Sequence, residues 1–147
     1  MELTDELQRI AATAHAHAAQ GEELAAVIPA EPADGIRVYL CAFSSRDSRT
    51  WLALDGDGQP ITDRSLLRDA ASLAALCELA EECAAEPDEL QEAPRVASPA
   101  YLDAIVAAAR GREQGPGSRF VQAMKQGAVA VEGLTHEVES GYKLPLS

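Results

Sequence analysis

Apolar positions change period twice along this chain, from helical to alternating and back to helical. Leu7, Ile10, Ala14 and His17 recur at helical spacing behind Thr4, Asp5 and Glu6, which suit a first turn. Gly21 interrupts this pattern, EELAAVI is expected to resume the helix, and Pro29 and Pro32 end it. The expectation is an N-terminal helical segment over residues 1–28, with 29–35 (PAEPADG) as a short linker.

GIRVYLCAFSS then reads as the best strand, being rich in β-branched and aromatic residues. RDSR supplies a polar turn and TWLALD returns, so residues 35–62 form a β-hairpin region with DGDG at its far end. Val38, Leu40 and Ala42 point one way, and Tyr39, Cys41 and Phe43 the other. Both faces are apolar, so both need a cover. A layer of helices closes one face; the N-terminal helix or a second subunit must close the other.

Residues 63–140 read as helical. Thr62 or Asp63 caps a long central helix whose stripe is Leu66, Ala70, Leu73, Cys77, Ala80 and Ala84, widened by Leu67, Leu76 and Leu79. Pro87 and Pro94 bracket an acidic connector. Ser98 is the N-cap of the next helix, Pro99 takes its first position, and Gly111 follows Arg110 as a stop. A GREQGPG loop leads to a last helix from about Ser118, with Phe120, Met124, Ala128, Val131, Leu134 and Val138 on one stripe. Residues 141–147 form a tail, free to pack or not. The fold class expected is α+β: one domain, 1–147, with a hairpin or small antiparallel sheet against three to four helices. A short third strand near Ile61 is an optional addition.

Composition narrows the function classes. The 147 residues are 47% hydrophobic and only 4% aromatic, so the core is built largely from alanine and aliphatics, with closely approaching helices. The formal net charge of −12 repels phosphate backbones and anionic lipid. No nucleic acid and no membrane partner is therefore expected; acidic mimicry of nucleic acid ranks last among the functions considered. The N-terminus has acids where a signal peptide needs a basic residue, and three cysteines cannot close a disulfide framework. A cytoplasmic chain follows, with Cys41, Cys77 and Cys83 read as small buried hydrophobes.

Candidate chemistry is sparse. Asp55 and Asp57 begin like a calcium loop, but Gln59, Pro60 and Leu66 stand where an acid, a glycine and a glutamate belong. The same letters resemble the first motif of haloacid-dehalogenase-type phosphotransferases over four residues; Gln59-Pro60 then departs from it. A turn explains DGDG better, since Asp-Gly pairs favour tight reversals. His15 and His17 fall on opposite sides of a helix and cannot share a metal, and His17 on the stripe reads as half-buried. His136 has no nucleophile near it in sequence; Glu78, Glu81, Glu82 and Glu86 cluster on the central helix, and the i, i+4 pair Glu78 and Glu82 reads as a solvated face. No metal, cofactor or catalytic residue is expected.

Positive charge is scarce, so its placement carries weight. Arg46 and Arg49 flank the hairpin turn with Trp51 just beyond, and form the candidate binding surface. Arg112, Ser118 and Arg119 form an alternative anion-binding set at a helix start. The leading expectation is a non-enzymatic interaction or regulatory protein, homodimeric because of the two-sided hairpin. The alternative is a domain or minor enzyme holding an anionic small molecule between hairpin and helices.

Overall fold

The computed structural model describes residues 3–84, 96–112 and 119–146. Its elements run α1 (Leu3–His15), β1 (Glu23–Ala33), β2 (Ile36–Ser44), β3 (Arg49–Leu54), α2 (Arg64–Ala84), α3 (Pro99–Arg112) and α4 (Arg119–Ser140). The fold is a single small α+β domain whose antiparallel sheet has the order β1-β2-β3.

Residues 16–33 depart from the helix and linker expected of them. The N-terminal helix ends at His15, and both the EELAAVI segment and most of the 29–35 linker belong to β1. Val27 pairs with Cys41, Ile28 with Leu40, Pro29 with Tyr39 and Ala30 with Val38. Glutamate, leucine and alanine favour a helix in isolation, but pairing with β2 outweighs that preference. Pro29 is tolerated because it lies on an edge strand with its backbone turned outward: its carbonyl accepts from the Ala97 amide at 2.9 Å, so its missing N–H costs no bond to β2. Asp34 and Gly35 turn the chain into β2, with Gly35 at φ +79°. The third strand is thus β1. Near Ile61 there is only a bridge between Leu54 and Pro60.

The two-faced pattern of β2 survives intact. Val38, Leu40, Ala42, Trp51 and Ala53 face a layer of α2, α3 and α4, in a core with Leu67, Ala70, Ala71, Leu73, Ala74, Cys77 and Val138. Tyr39, Cys41, Phe43, Leu52 and Leu54 face α1, which buries Ile10 and Ala14 against them. The second face is therefore closed within the chain, and the feature that suggested a second subunit has an internal explanation.

Small residues let the helices of the layer approach closely, Ala70, Ala71 and Ala74 among them. A Cβ added at Gly127 of α4 would lie 2.6 Å from Leu79 Cδ2 of α2, and Ser72 and Thr135 meet between the same helices at 3.3 Å. Asp63 caps α2, its Oδ1 accepting from the amides of Ser65 (2.9 Å) and Leu66 (3.3 Å). Asp63→Ala is expected to cost about 1 kcal/mol by urea denaturation; no change would mean that another group satisfies those amides. Ser98 caps α3 as expected, accepting from the Tyr101 amide at 3.1 Å. Gly111 does not stop that helix, which continues to Arg112. The acidic connector and the GREQGP stretch beyond Arg112 lie outside the described residues.

The tail packs. Trp51 donates its amide to the Gly141 carbonyl and accepts from the Lys143 amide, both at 2.9 Å, so the tail lies parallel to β3 on its outer edge. The Tyr142 hydroxyl accepts from the Ala53 amide at 3.0 Å and reaches the Ile61 carbonyl at 2.5 Å. Ile61 itself donates to the Ala53 carbonyl at 2.8 Å. The outward backbone groups of Trp51 and Ala53 are thus satisfied, which protects this edge from pairing with another chain. Gly141 suits this close approach: an added Cβ would sit 3.0 Å from the Arg49 carbonyl and 3.1 Å from that of Glu137, so backbone would have to give by a few tenths of an ångström.

Candidate functional site

The β2–β3 turn end of the sheet gathers the residues that stand out in the sequence. Ser45 and Ser48 close the turn: the Ser45 amide donates to the Ser48 carbonyl at 2.9 Å, and the two hydroxyls lie 3.0 Å apart. Arg46 and Asp47 form its exposed apex, and Arg49 opens β3, also exposed. Arg49 places its guanidinium carbon 5.9 Å from the centre of the Trp51 ring, at the outer range of a cation–π contact.

Trp51 itself is not part of the surface. It is 2% exposed and belongs to the core beneath α2–α4, and its indole Nε1 is buried with no hydrogen-bond partner among the described residues. The binding surface anticipated from Arg46, Arg49 and Trp51 therefore reduces to two exposed arginines over a buried indole. The sequence signal for this was parity: Trp51 alternates with Leu52 and pairs with Ala42, an inward position.

Behind the turn lies a group that sequence reasoning missed. Glu22, at the end of the α1–β1 connection, is 9% exposed in its side chain and forms an ion pair with Lys143 of the tail. It also accepts from the Thr50 hydroxyl at 2.6 Å and the Ala19 amide at 2.8 Å. The Lys143 hydrogen bond, then those of Thr50 and Ala19, hold its carboxyl down at about 2. Lys143 also stands 4.6 Å over the Phe43 ring. No local motif marks this group, because Glu22, Thr50 and Lys143 are far apart in the chain.

The other candidates separate. His15 and His17 are both exposed, and His17 lies beyond the end of α1, so it is not the half-buried stripe residue anticipated. DGDG is a turn: Asp55 Oδ1 accepts from the amides of Asp57 and Gln59 at 2.9 Å each, and Gly58 takes φ +82°. Arg112 is the last residue of α3 and Arg119 the first of α4; Ser118 lies outside the described residues. Cys41 and Cys77 are free and buried. Burial pushes the Cys41 thiol up to about 12, and burial aided by the negative Glu81 pushes Cys77 to about 11. Neither forms an appreciable thiolate near neutrality in the closed fold. The Tyr101 hydroxyl donates to Glu81 at 2.5 Å, tying α3 to α2.

Among the described residues, no group of three or more His, Cys, Asp or Glu is arranged to hold a metal, and no helix is long and apolar enough to cross a membrane. Comparison with known protein families, with curated proteins and with solved structures finds no match.

Proposed function

We propose that this protein is a non-enzymatic interaction or regulatory protein of the cytoplasm, and that the β2–β3 turn is its contact surface. The observation that carries the reading is the presentation of Arg46 and Arg49, both exposed, on a turn whose shape is held by Ser45 and Ser48. Guanidinium groups on a preorganised turn lose little freedom on binding and favour a partner offering carboxylates in a planar, bidentate arrangement.

The test is capture of a partner by the tagged full chain, repeated with Arg46→Glu and Arg49→Glu together. Reversing two contacting charges should weaken capture by at least roughly tenfold and lower its salt sensitivity. The melting temperature should barely change, since these are surface positions. Undiminished capture by a folded variant would exclude the turn. A homodimer belongs to the same reading, the partner then being a second copy, and native mass spectrometry reports it directly.

The alternative is a domain holding a small anion. Its support is the placement of Arg112 at the end of α3 and Arg119 at the start of α4. A metabolite panel read by thermal stability separates the two, because a tight ligand raises the melting temperature by mass action.

A further inference from the structure

The two covers of the sheet are unequal. Three helices close the face of Val38, Leu40 and Trp51, whereas a single helix, α1, joined by Ala18 and by Tyr142 and Leu144 of the tail, covers the face of Tyr39, Cys41, Phe43, Leu52 and Leu54. Of its 13 residues, α1 buries Ile10 and Ala14 fully and Leu7 in part. An isolated helix of that length is marginal in water, so α1 persists by docking. Its other ties are polar: Glu6 accepts from the Tyr39 hydroxyl and pairs with Arg37 at 3.5 Å. Arg9 donates to the Gly56 carbonyl at 3.0 Å. Residues 16–22, which belong to no helix or strand, join α1 to β1.

We propose that α1 is a detachable helix, and that the groove beneath it is a docking groove whose exchange occupant is α1 of a second copy of this chain. The groove selects a helix by apolar side chains at Leu7, Ile10 and Ala14 spacing, by an acid opposite Arg37 and Tyr39, and by a donor opposite the Gly56 carbonyl. A second copy reproduces each of these contacts without any new fit, which is why exchanging an identical element is a low-cost route to a dimer. The seven-residue connection is anchored at Glu22 to Thr50 and Lys143; released from that anchor it extends to at most roughly 25 Å. This inference does not depend on the arginine turn and stands or falls separately from it.

Cys41 reports on the groove because it is buried under α1, and Cys77 serves as the control because it is buried in the other layer. With Cys83→Ser in the full chain, a chromogenic aromatic disulfide should label Cys41 at least about tenfold faster than Cys77, since local opening is cheaper than global unfolding. A staple provides the second arm. A Cβ at Gly58 would lie 3.8 Å from Thr13 Cβ, a normal disulfide separation, but Gly58 stands at φ +82°, so the reduced double variant is the reference that carries the strain of the substitution. Thr13→Cys with Gly58→Cys, oxidised, should slow Cys41 to the rate of Cys77; reduction should restore it. In the third arm, isotope-labelled and unlabelled chains are mixed at concentrations up to millimolar and read by native mass spectrometry. Mixed dimers should form from the unstapled chain and vanish with the oxidised staple. Equal labelling of Cys41 and Cys77 would overturn the detachment of α1. Rapid Cys41 labelling without mixed dimers, or mixed dimers that persist when stapled, would overturn the second copy as occupant.

Discussion

Trp51→Ala will cost about 3–5 kcal/mol of unfolding free energy, the range for deleting a buried indole. For a domain of this size that is a large share of total stability, so the variant should be mostly unfolded at modest urea concentrations. The reason is position: Trp51 lies 2% exposed between β3 and the helical layer, with Val138 and Leu134 of α4 in the same cluster. Trp51→Phe separates packing from polarity. It keeps an aromatic ring and removes an indole N–H that has no partner among the described residues, so it should cost less than half as much, an unpaired donor being itself unfavourable. A loss below about 1 kcal/mol for Trp51→Ala would mean that the indole is not packed as described. A partner-binding assay on Trp51→Ala would therefore report the fold; Arg46 and Arg49 are the positions that probe the surface.

Glu22→Gln is expected to cost about 2 kcal/mol, in the range of charge-assisted hydrogen bonds lost from a buried carboxylate. Glu22 holds three separate pieces of chain together: the turn after α1 through Ala19, β3 through Thr50 and the tail through Lys143. The sign of the pH dependence follows from the depressed carboxyl. Its ordinary value is 4.5 and its folded value about 2, so the folded state binds the proton less readily than the unfolded chain. The contribution is fully present above about pH 4.5 and is lost as pH falls through about 2. Urea titrations between pH 6 and pH 2 should show wild type losing stability faster than Glu22→Gln, with the two curves converging at the acid end. Parallel curves across that window would remove Glu22 as the cause.

Much of the layer structure was legible in the residues themselves. The alternation from Val38 to Phe43 announced a strand with two covered faces, and the assignment of side chains to those faces holds residue by residue. Asp63 and Ser98 were recognisable caps because capping is a contact between a side chain and amides two or three residues on. The Asp55–Gly58 reversal was recognisable for the same reason. The candidate surface was legible only in part. Arg46 and Arg49 are where a polar turn puts them, but Trp51 obeys the strand's inward parity instead of joining its neighbours.

Local signals thus determined the central helix, the hairpin of β2 and β3, the caps and the need for two covers, since each depends on interactions spanning a few residues. Only the tertiary structure decided the identity of β1, the route of the tail and the helix that closes the second face. Glu23 to Ala33 has a helix-forming composition at its start and two prolines later. It becomes a strand because β2 pairs with it from Glu23 to Ala33, with irregularities between Leu24 and Ala26 and between Ala30 and Ala33, and because the outward edge leaves Pro29 no bond to break. The tail becomes an edge cover because Tyr142 and Lys143 find Ala53, Ile61 and Glu22, residues at least 80 positions away. Such pairings are set by which surfaces remain unsatisfied after the local elements form, and no window of neighbouring residues contains that information.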